Sequence, residues 1–335
     1  MKGHFWRYLL AALLPLPVIA LLLLFYQSTQ AVDDAKIYNI SVFARSPGDR
    51  FMKGIEQAAL DYNVDLHFFS SYAKNDGAQQ IEYLRRELES DIDAVVIAAE
   101  DAPALEDFID AVKPRPPIIT LGARLRNDRA TAHVGADGRA LGELLGRLII
   151  ESGAKQCVAL CPSELDASRS ERLEGLTAAL DGGGVEYTVR YAETDINGVS
   201  TALNDLGTAG AANMSGDVSQ AVAADKNNDF NDAGAACVAI AVIDEGMAAQ
   251  VCESAPPDAE IYAIGYQNTF RQYLETGRLR QIVVYSEYDA GYLCLQSAVR
   301  ASDKRVADDA DLALHTATAD NMYTEPLVNI LFPIG

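Results

Sequence analysis

The sequence predicts an α/β protein with two doubly wound lobes, each built on a parallel sheet, behind an N-terminal membrane segment. From residue 37 onward, short apolar runs alternate with segments of helical period, which is typical of a parallel sheet with helices on both faces. The alternation starts again near residue 141, which indicates a second unit of the same kind. A chain of 335 residues is also too long for one small core and suits two lobes.

The N-terminal segment is predicted from hydropathy and charge. Residues 8–26 form an uncharged run that is about long enough to cross a bilayer. Basic residues precede the run and two aspartates follow it, so the positive-inside rule places residues 27–335 outside the cytoplasm. Residues 1–31 are therefore either a cleaved signal peptide or an uncleaved signal anchor, and the length of the run favours the anchor.

The first unit is predicted to contain five short strands with helices between them. The apolar runs that predict strands span residues 37–43, 65–70, 93–99, 116–122 and 132–136. Apolar residues at helical spacing predict helices over residues 51–62, 81–88 and 105–112.

The second unit opens with a helix that is marked by leucines between residues 141 and 148. Strands are predicted over residues 156–161, 185–192, 237–243, 261–266 and 280–285, and helices over 170–180 and near 247–254, 269–276 and 289–301. Residues 207–236 interrupt this unit. They are rich in Gly, Ala, Asn and Asp, so we expect a flexible surface insertion.

The insertion contains part of a calcium-loop pattern. Acidic and amide residues alternate from Asp225 to Asn231, as the first ligands of such a loop do. Phe230 replaces the glycine that makes the turn, and Ala236 stands where the closing glutamate belongs. A solvated polar loop is therefore favoured over a calcium site.

Composition and motifs argue against several functions. The formal net charge of −21 disfavours nucleic-acid binding, which needs a basic face. The turn after the first strand lacks the G-x-G-x-x-G of dinucleotide enzymes, and a G-x-S-x-G elbow is absent. The five cysteines lie in apolar runs without the Cys/His spacing of zinc sites, so buried free thiols are expected. We expect no enzymatic activity, no metal and no cofactor.

Polar residues follow the predicted strands one after another. They include Arg45, Asp49 and Arg50, Glu100 and Asp101, Arg124, Asp166, Arg169 and Arg172, Asp244, Gln267, Tyr285 and Glu287. Ligands of open parallel sheets bind outside the carboxyl ends of the strands, so these clusters indicate one cleft between the lobes. The alternative for any single cluster is a solvated loop or a helix cap, because Asp and Ser belong at helix starts.

The chain from about residue 37 to 335 resembles the type I periplasmic binding proteins, the ribose-binding-like solute receptors that share a fold with the ligand domains of LacI-type repressors. The resemblance lies in the order and spacing of several segments: FMKGIEQAALDYNVDL, NDGAQQIEYLRRELESDIDAVVIAAED, HVGADGRALGELLGRLI, SERLEGLTAAL and VIDEGMAAQVCES. A repressor of this fold would need an N-terminal helix-turn-helix, and the predicted membrane segment occupies that place.

The resemblance implies two lobes that are joined by a three-strand hinge and close on a ligand. The crossings should lie near Gly135–Asp137, Tyr285–Glu287 and His315–Thr318. Lobe one would comprise residues 36–136 plus 286–314, and lobe two residues 137–285 plus 315–335.

The resemblance also bears on the site. Arg172 stands where sugar-binding members have an arginine that bonds ligand hydroxyls, and Asp137 lies at the first crossing, where a polar contact is common. Gln267 replaces a usual aspartate, and Tyr285 stands where a glutamine is common, so no specific sugar carries over. The complete set of candidate ligand-binding residues is Arg45, Asp49, Arg50, Asp101, Arg124, Asp137, Arg172, Asp244, Gln267 and Tyr285.

The function implied is that of an extracytoplasmic solute-binding protein for a small polar ligand, with a sugar as the leading candidate. Its partner would be an ABC transporter permease or a sensor histidine kinase, and the N-terminal helix would hold it at the cell membrane. The alternative is a sensory receptor for an anionic or signal molecule with no transport role, because several arginines of the site would also suit an anion.

Overall fold

The fold is that of a computed structural model. It describes residues 36–45, 47–70, 76–112, 115–126, 130–204 and 238–332. The predicted membrane segment, the insertion 207–236 with its partial calcium pattern, and Cys237 all lie outside these ranges. Within them, no helix combines the length and the apolar character that crossing a bilayer requires.

The first sheet has six strands that all run parallel. They are β1 (Tyr38–Phe43), β2 (Val64–Phe69), β3 (Ala94–Ile97), β4 (Ile118–Leu121), β5 (Ala132–Gly135) and β11 (Ala310–Asp311), in the order β11-β5-β4-β3-β1-β2. The helices between its strands are α1 (Asp49–Tyr62), α2 (Gly77–Leu88) and α3 (Ala102–Ala111). The middle strands are buried on both faces, which is why their sequences are nearly continuous apolar runs.

The second sheet also has six strands. They are β6 (Gln156–Pro162), β7 (Glu186–Ala192), β8 (Val238–Val242), β9 (Glu260–Ile264), β10 (Leu279–Val284) and β12 (His315–Ala317), in the order β12-β10-β9-β8-β6-β7. All neighbours pair in parallel except β12, which runs antiparallel to β10.

Seven further helices complete the described chain. They are α4 (Gly138–Glu151), α5 (Ala167–Gly183), α6 (Ile196–Asn204), α7 (Glu245–Ser254), α8 (Phe270–Glu275), α9 (Glu287–Ser302) and α10 (Leu327–Leu331). Within the described residues, each predicted strand and helix has a counterpart within a few residues. Local patterns did not predict α6, β11, β12 and α10, although the resemblance implied a crossing near His315–Thr318, where β12 lies.

The chain passes between the two sheets three times. After β5 it enters α4, whose apolar face packs in the core of the second sheet. After β10 it returns to α9, which packs on the first sheet. Residues 312–314 then connect β11 of the first sheet with β12 of the second. We call the first sheet with α1–α3 and α9 the first lobe, and the second sheet with the remaining helices the second lobe.

Paired glycines bring two sets of helices into main-chain contact beside the crossings. A Cβ on Gly54 would collide with the carbonyl oxygen of Tyr288, and one on Gly291 with that of Phe51, so α1 and α9 pack at minimal distance. Gly142 and Gly175 bring α4 and α5 together in the same way. These contacts fix the spacing of α1 from α9 and of α4 from α5.

The four described cysteines are buried free thiols, as expected. Burial raises the pKa of Cys157 and of Cys252 to about 12, so both remain protonated at neutral pH.

Candidate ligand-binding cleft

A cavity of about 270 Å³ lies between the lobes, at the carboxyl ends of both sheets. Its polar lining comes from both lobes and from a crossing: Arg45, Glu100, Asp166, Ser168, Arg169, Arg172, Glu245, Tyr285 and Glu287. Its apolar lining includes Phe51, Leu121 and Leu141 with several alanines. Such a mixture of apolar wall and a few convergent polar groups is typical of small-molecule sites.

The first-lobe wall is fixed by hydrogen bonds at the ends of β1 and β3. The amide of Ala98 donates to the carbonyl of Phe43 at 2.9 Å, which continues the sheet to the cavity edge. The buried side chain of Gln80 donates to the carbonyl of Ala98 at 2.8 Å and accepts from the amide of Glu100 at 3.1 Å. Gln80 therefore holds the β3–α3 turn in place, because both ends of its amide are used.

Arg45 and Glu100 form an ion pair on this wall. Arg45 Nε lies 3.0 Å from Glu100 Oε1, and the side chain of Glu100 is only 7 % exposed. The pair offers the cavity donors and acceptors together rather than a free positive charge.

The second-lobe wall carries a larger ionic group. Arg169 Nε donates to Asp244 Oδ2 at 2.7 Å, and a second ion pair joins Arg169 to Asp166. The two aspartates also cap helices, since Asp166 accepts from the amide of Arg169 at 2.8 Å and Asp244 accepts from that of Met247 at 3.1 Å. These caps orient the carboxylates that hold Arg169 at the cavity.

Arg172 lies beside this group and is held more loosely. Its Nη1 donates to the carbonyl of Ile243 at 3.1 Å and lies 3.9 Å from Glu245 Oε2. Its Nε is buried without a hydrogen-bond partner. The guanidinium therefore has donor capacity that the protein itself does not satisfy.

The second crossing supplies Tyr285 and Glu287. Burial raises the pKa of Tyr285 to about 12, so its hydroxyl stays protonated at neutral pH. Burial also raises the pKa of Glu287, an effect that the nearby Arg50 opposes. Glu287 Oε2 lies 3.5 Å from Arg50 Nε.

Arg50 joins the lobes directly. It belongs to α1 in the first lobe, yet its Nη2 donates to the carbonyl of Tyr266 in the second lobe at 2.7 Å. Its guanidinium carbon also lies 4.7 Å from the centre of the Tyr266 ring. Arg50 thus bridges the lobes beside the cavity instead of lining it.

Three residues of the candidate set line the cavity, namely Arg45, Arg172 and Tyr285. Asp101, Asp137 and Asp244 do not. Their carboxylates accept from the amides of Ala104, Ala140 and Met247, so each caps the helix that follows. This is the helix-cap alternative that the sequence analysis left open.

The remaining candidates also lie outside the lining. Asp49 is exposed in the first turn of α1, and Gln267 is half-buried in the turn after β9. Arg124 forms ion pairs with Asp309 and Asp311 of the first lobe.

The cavity instead uses four carboxylates and one arginine that the candidate set omits: Glu100, Asp166, Glu245, Glu287 and Arg169. Each follows a strand end, so the sequence signal exists. A strand end by itself does not tell which of the acidic residues that follow it line the cavity, and Asp166 both caps α5 and lines the cavity.

Two sheets of this topology, three crossings and a polar cavity between the lobes define the class of two-lobed binding proteins. A family model described as "Periplasmic binding protein domain" matches residues 40–305, and the chain belongs to this family. It is a family of binding proteins, and the chain is not an enzyme. No curated protein sequence matches the chain.

Solved structures agree on the fold. A carbohydrate transporter solute binding protein from Agrobacterium radiobacter, in complex with D-arabinose, is 15 % identical with a TM-score of 0.73, covering 89 % of this chain and 99 % of its own. An ABC transporter solute binding protein from Agrobacterium vitis with bound D-fucose is 17 % identical with a TM-score of 0.70, covering 89 % and 100 %. One from Bacillus halodurans with bound myo-inositol is 16 % identical with a TM-score of 0.66, covering 86 % and 96 %.

Proposed function

We propose that this protein is an extracytoplasmic solute-binding protein that clamps a small sugar or related polyol between its lobes and passes it to an ABC importer. The observation that carries the proposal is the cavity of about 270 Å³, whose polar lining comes from both lobes. A ligand that bonds both walls favours the closed arrangement of the lobes.

The chemistry of the lining suits a polyol. The arginines donate hydrogen bonds and the carboxylates accept them, while each hydroxyl of a sugar does both. Phe51 and the alanines supply apolar surface for the C–H faces of the ring. An anion is less well supported, because Arg45 and Arg169 are already paired with carboxylates.

The comparisons support the same ligand class and partner. The similar structures named above carry D-arabinose, D-fucose and myo-inositol, and their names refer to carbohydrate or ABC transport. A sensor histidine kinase is the alternative partner. The charge pattern around residues 8–26 supports a location outside the cytoplasm, with residues 1–31 as a membrane anchor.

We further propose that residues 36–136 plus 286–314 and residues 137–285 plus 315–335 move as two bodies about the three crossings. Hinge closure of this kind needs only a few connecting residues to absorb the change in backbone angles.

A thermal-shift screen of the full-length protein tests the function. The compounds are pentoses, hexoses, inositols, sugar acids, sugar phosphates and amino acids. A ligand that binds only the folded protein stabilises it by about 2.7 kcal/mol at a hundred times its Kd. We expect a rise in melting temperature with a sugar or polyol.

Two variants test whether the ligand binds in the cavity. The double variant Arg45→Ala/Arg172→Ala should lose the rise, while the control Arg86→Ala, which removes an exposed helix-surface arginine, should keep it. No rise with any compound, or an unchanged rise in the double variant, contradicts the proposed site.

A further inference from the structure

We infer that the ligand carries one ammonium group, as an amino sugar or amino polyol does, and that Glu245 and Glu287 bind this group from opposite lobes. This inference rests on the proposed function and makes its ligand class more specific. It is argued from the charge of the lining, the ion pairs of each charged group and the positions of the two carboxylates.

The lining has more negative than positive charge. Among the described residues it includes three arginines and four carboxylates, with neither lysine nor histidine. Within the part of the chain that the structure describes, two charged groups form ion pairs with this set from outside the lining: Arg50 with Glu287, and Asp244 with Arg169. With these two included, four arginines face five carboxylates. With or without these two groups, the count leaves one excess negative charge, which a monovalent cation in the cavity would neutralise.

The pairing distances locate the excess charge. Glu100 has Arg45 at 3.0 Å, and Arg169 is held by Asp244 at 2.7 Å and by Asp166. Among the described residues, Glu245 pairs with Arg172 alone, at 3.9 Å, and Glu287 with Arg50 alone, at 3.5 Å. Both distances exceed that of a charge-assisted hydrogen bond, so these two carboxylates keep most of their acceptor capacity for a ligand.

Each of the two carboxylates lies against a glycine of its own lobe. A Cβ on Gly48 would lie 3.0 Å from Glu287 Oε2, and a Cβ on Gly265 would lie 2.8 Å from Glu245 Oε2. A side chain at either position would push the carboxylate away. Gly48 therefore makes room for the Glu287 carboxylate, while Gly265, whose φ of +95° already favours glycine, also leaves room for that of Glu245. Both carboxylates remain reachable, since the side chains are 39 % exposed for Glu245 and 23 % for Glu287.

The two carboxylates also interact with each other through the cavity. After burial, which is the larger effect, the negative charge of Glu245 raises the pKa of Glu287, while Arg50 and Arg172 lower it. Because Glu245 belongs to the second lobe and Glu287 to the first, their repulsion opposes closure of the lobes. An ammonium group between them would replace this repulsion by two attractions, and binding would then favour closure.

The test compares sugars that differ only in the amine. Titration calorimetry at near-neutral pH would measure full-length protein against D-glucosamine, D-galactosamine and D-mannosamine, each beside its neutral parent sugar and its N-acetyl derivative. We expect at least one amine to bind about tenfold or more tightly than its neutral parent, because a charge-assisted hydrogen bond is stronger than a neutral one. The N-acetyl derivative should lose the advantage, since its nitrogen carries no charge.

Glu245→Gln and Glu287→Gln should each reduce the preference for the amine, and the double variant should abolish it. Glu82→Gln, which changes an exposed carboxylate of α2, should leave the preference unchanged. The melting temperature of each variant without ligand verifies that it folds. Equal or tighter binding of the neutral sugars overturns this inference and leaves the proposed function standing. Binding of none of these sugars, when the thermal-shift screen identifies a neutral sugar or polyol, also overturns this inference. The proposed function fails only if no compound of that screen binds.

Discussion

Removal of the Arg50 side chain should weaken ligand binding without removing any group from the cavity. Arg50 bonds the carbonyl of Tyr266 at 2.7 Å and lies over the Tyr266 ring, so Arg50→Ala deletes a contact between the lobes. A hydrogen bond from a charged group contributes about 1.5–3 kcal/mol and a cation–π contact about 0.5–2 kcal/mol. Solvent that enters the space left behind recovers part of this, so we expect a net loss of about 2 kcal/mol.

The loss should appear in affinity rather than in folding. On the proposed hinge closure, this contact forms when the lobes come together, so its removal should raise the fraction of open molecules and lower the apparent affinity by about 10- to 100-fold. Titration calorimetry with the ligand from the screen measures the affinity, and small-angle X-ray scattering measures the radius of gyration with and without ligand. Arg50→Lys keeps the charge but not the planar fork, so it should recover only part of the affinity.

Arg271→Ala is the matched control. Arg271 lies over the rings of Tyr323 and Phe332 and pairs with Glu275, all within the second lobe. Its loss should leave both affinity and lobe separation unchanged. If Arg50→Ala binds as tightly as the parent protein and has the same radius of gyration, the contact does not control closure and the reasoning is refuted.

Three further predictions concern the anchor, the helix packing and the response to pH. Replacement of residues 1–31 by a cleavable export signal should move the protein from the membrane fraction to the soluble fraction of the cell envelope. If the parent protein is already in the soluble fraction, the segment is cleaved and the anchor prediction is wrong. Gly142→Ala should lower the free energy of unfolding by about 1–3 kcal/mol, because the added methyl group collides with the main chain of α5. The control Gly182→Ala places its methyl group in open space and should be neutral or raise the free energy of unfolding by up to about 1 kcal/mol. Chemical denaturation measures both. The pKa of Glu287 is raised in the folded protein, chiefly by burial, so the folded state binds more protons than the unfolded state once the pH rises above the usual glutamate value of about 4.3. Stability should fall as the pH rises above that value, and Glu287→Gln should gain stability relative to the parent over the same range. A constant difference between the two melting curves across this range would contradict the last prediction.

The sequence predicts most of the elements because their signals are local. The apolar run of β6 and the helical period of α1 can each be recognised within about a dozen residues, and the order of such elements implies the doubly wound lobes. Three of the four missed elements lack such signals, whereas α6 has nine residues with apolar residues at helical spacing that was not recognised. β11 and β12 have two and three residues, which is too short for a period, and α10 has five. These elements exist because neighbours that are distant in sequence complete their hydrogen bonds and burial.

The candidate site residues also divide into those that a local sequence signal predicts correctly and those that it does not. Strand ends mark where polar residues meet, and Arg45, Arg172 and Tyr285 do line the cavity. Asp101 and Asp137 also follow strand ends, but they cap helices instead of lining the cavity. The nearest amides without an intrahelical partner are those of Ala104 and Ala140, in the helix that each aspartate precedes. Composition and local pattern cannot separate these outcomes, since both use the same residue types at the same positions.

By itself, the sequence determined the α/β order of the elements, the two-unit organisation and the edges at which polar residues gather, because periodicity and burial are properties of neighbouring residues. Only the tertiary structure decided which side chains share the cavity and which join the lobes. Arg50 and the Tyr266 carbonyl are 216 residues apart in sequence and 2.7 Å apart in space. Such a contact depends on how two sheets are placed about three crossings, and no local pattern specifies that placement.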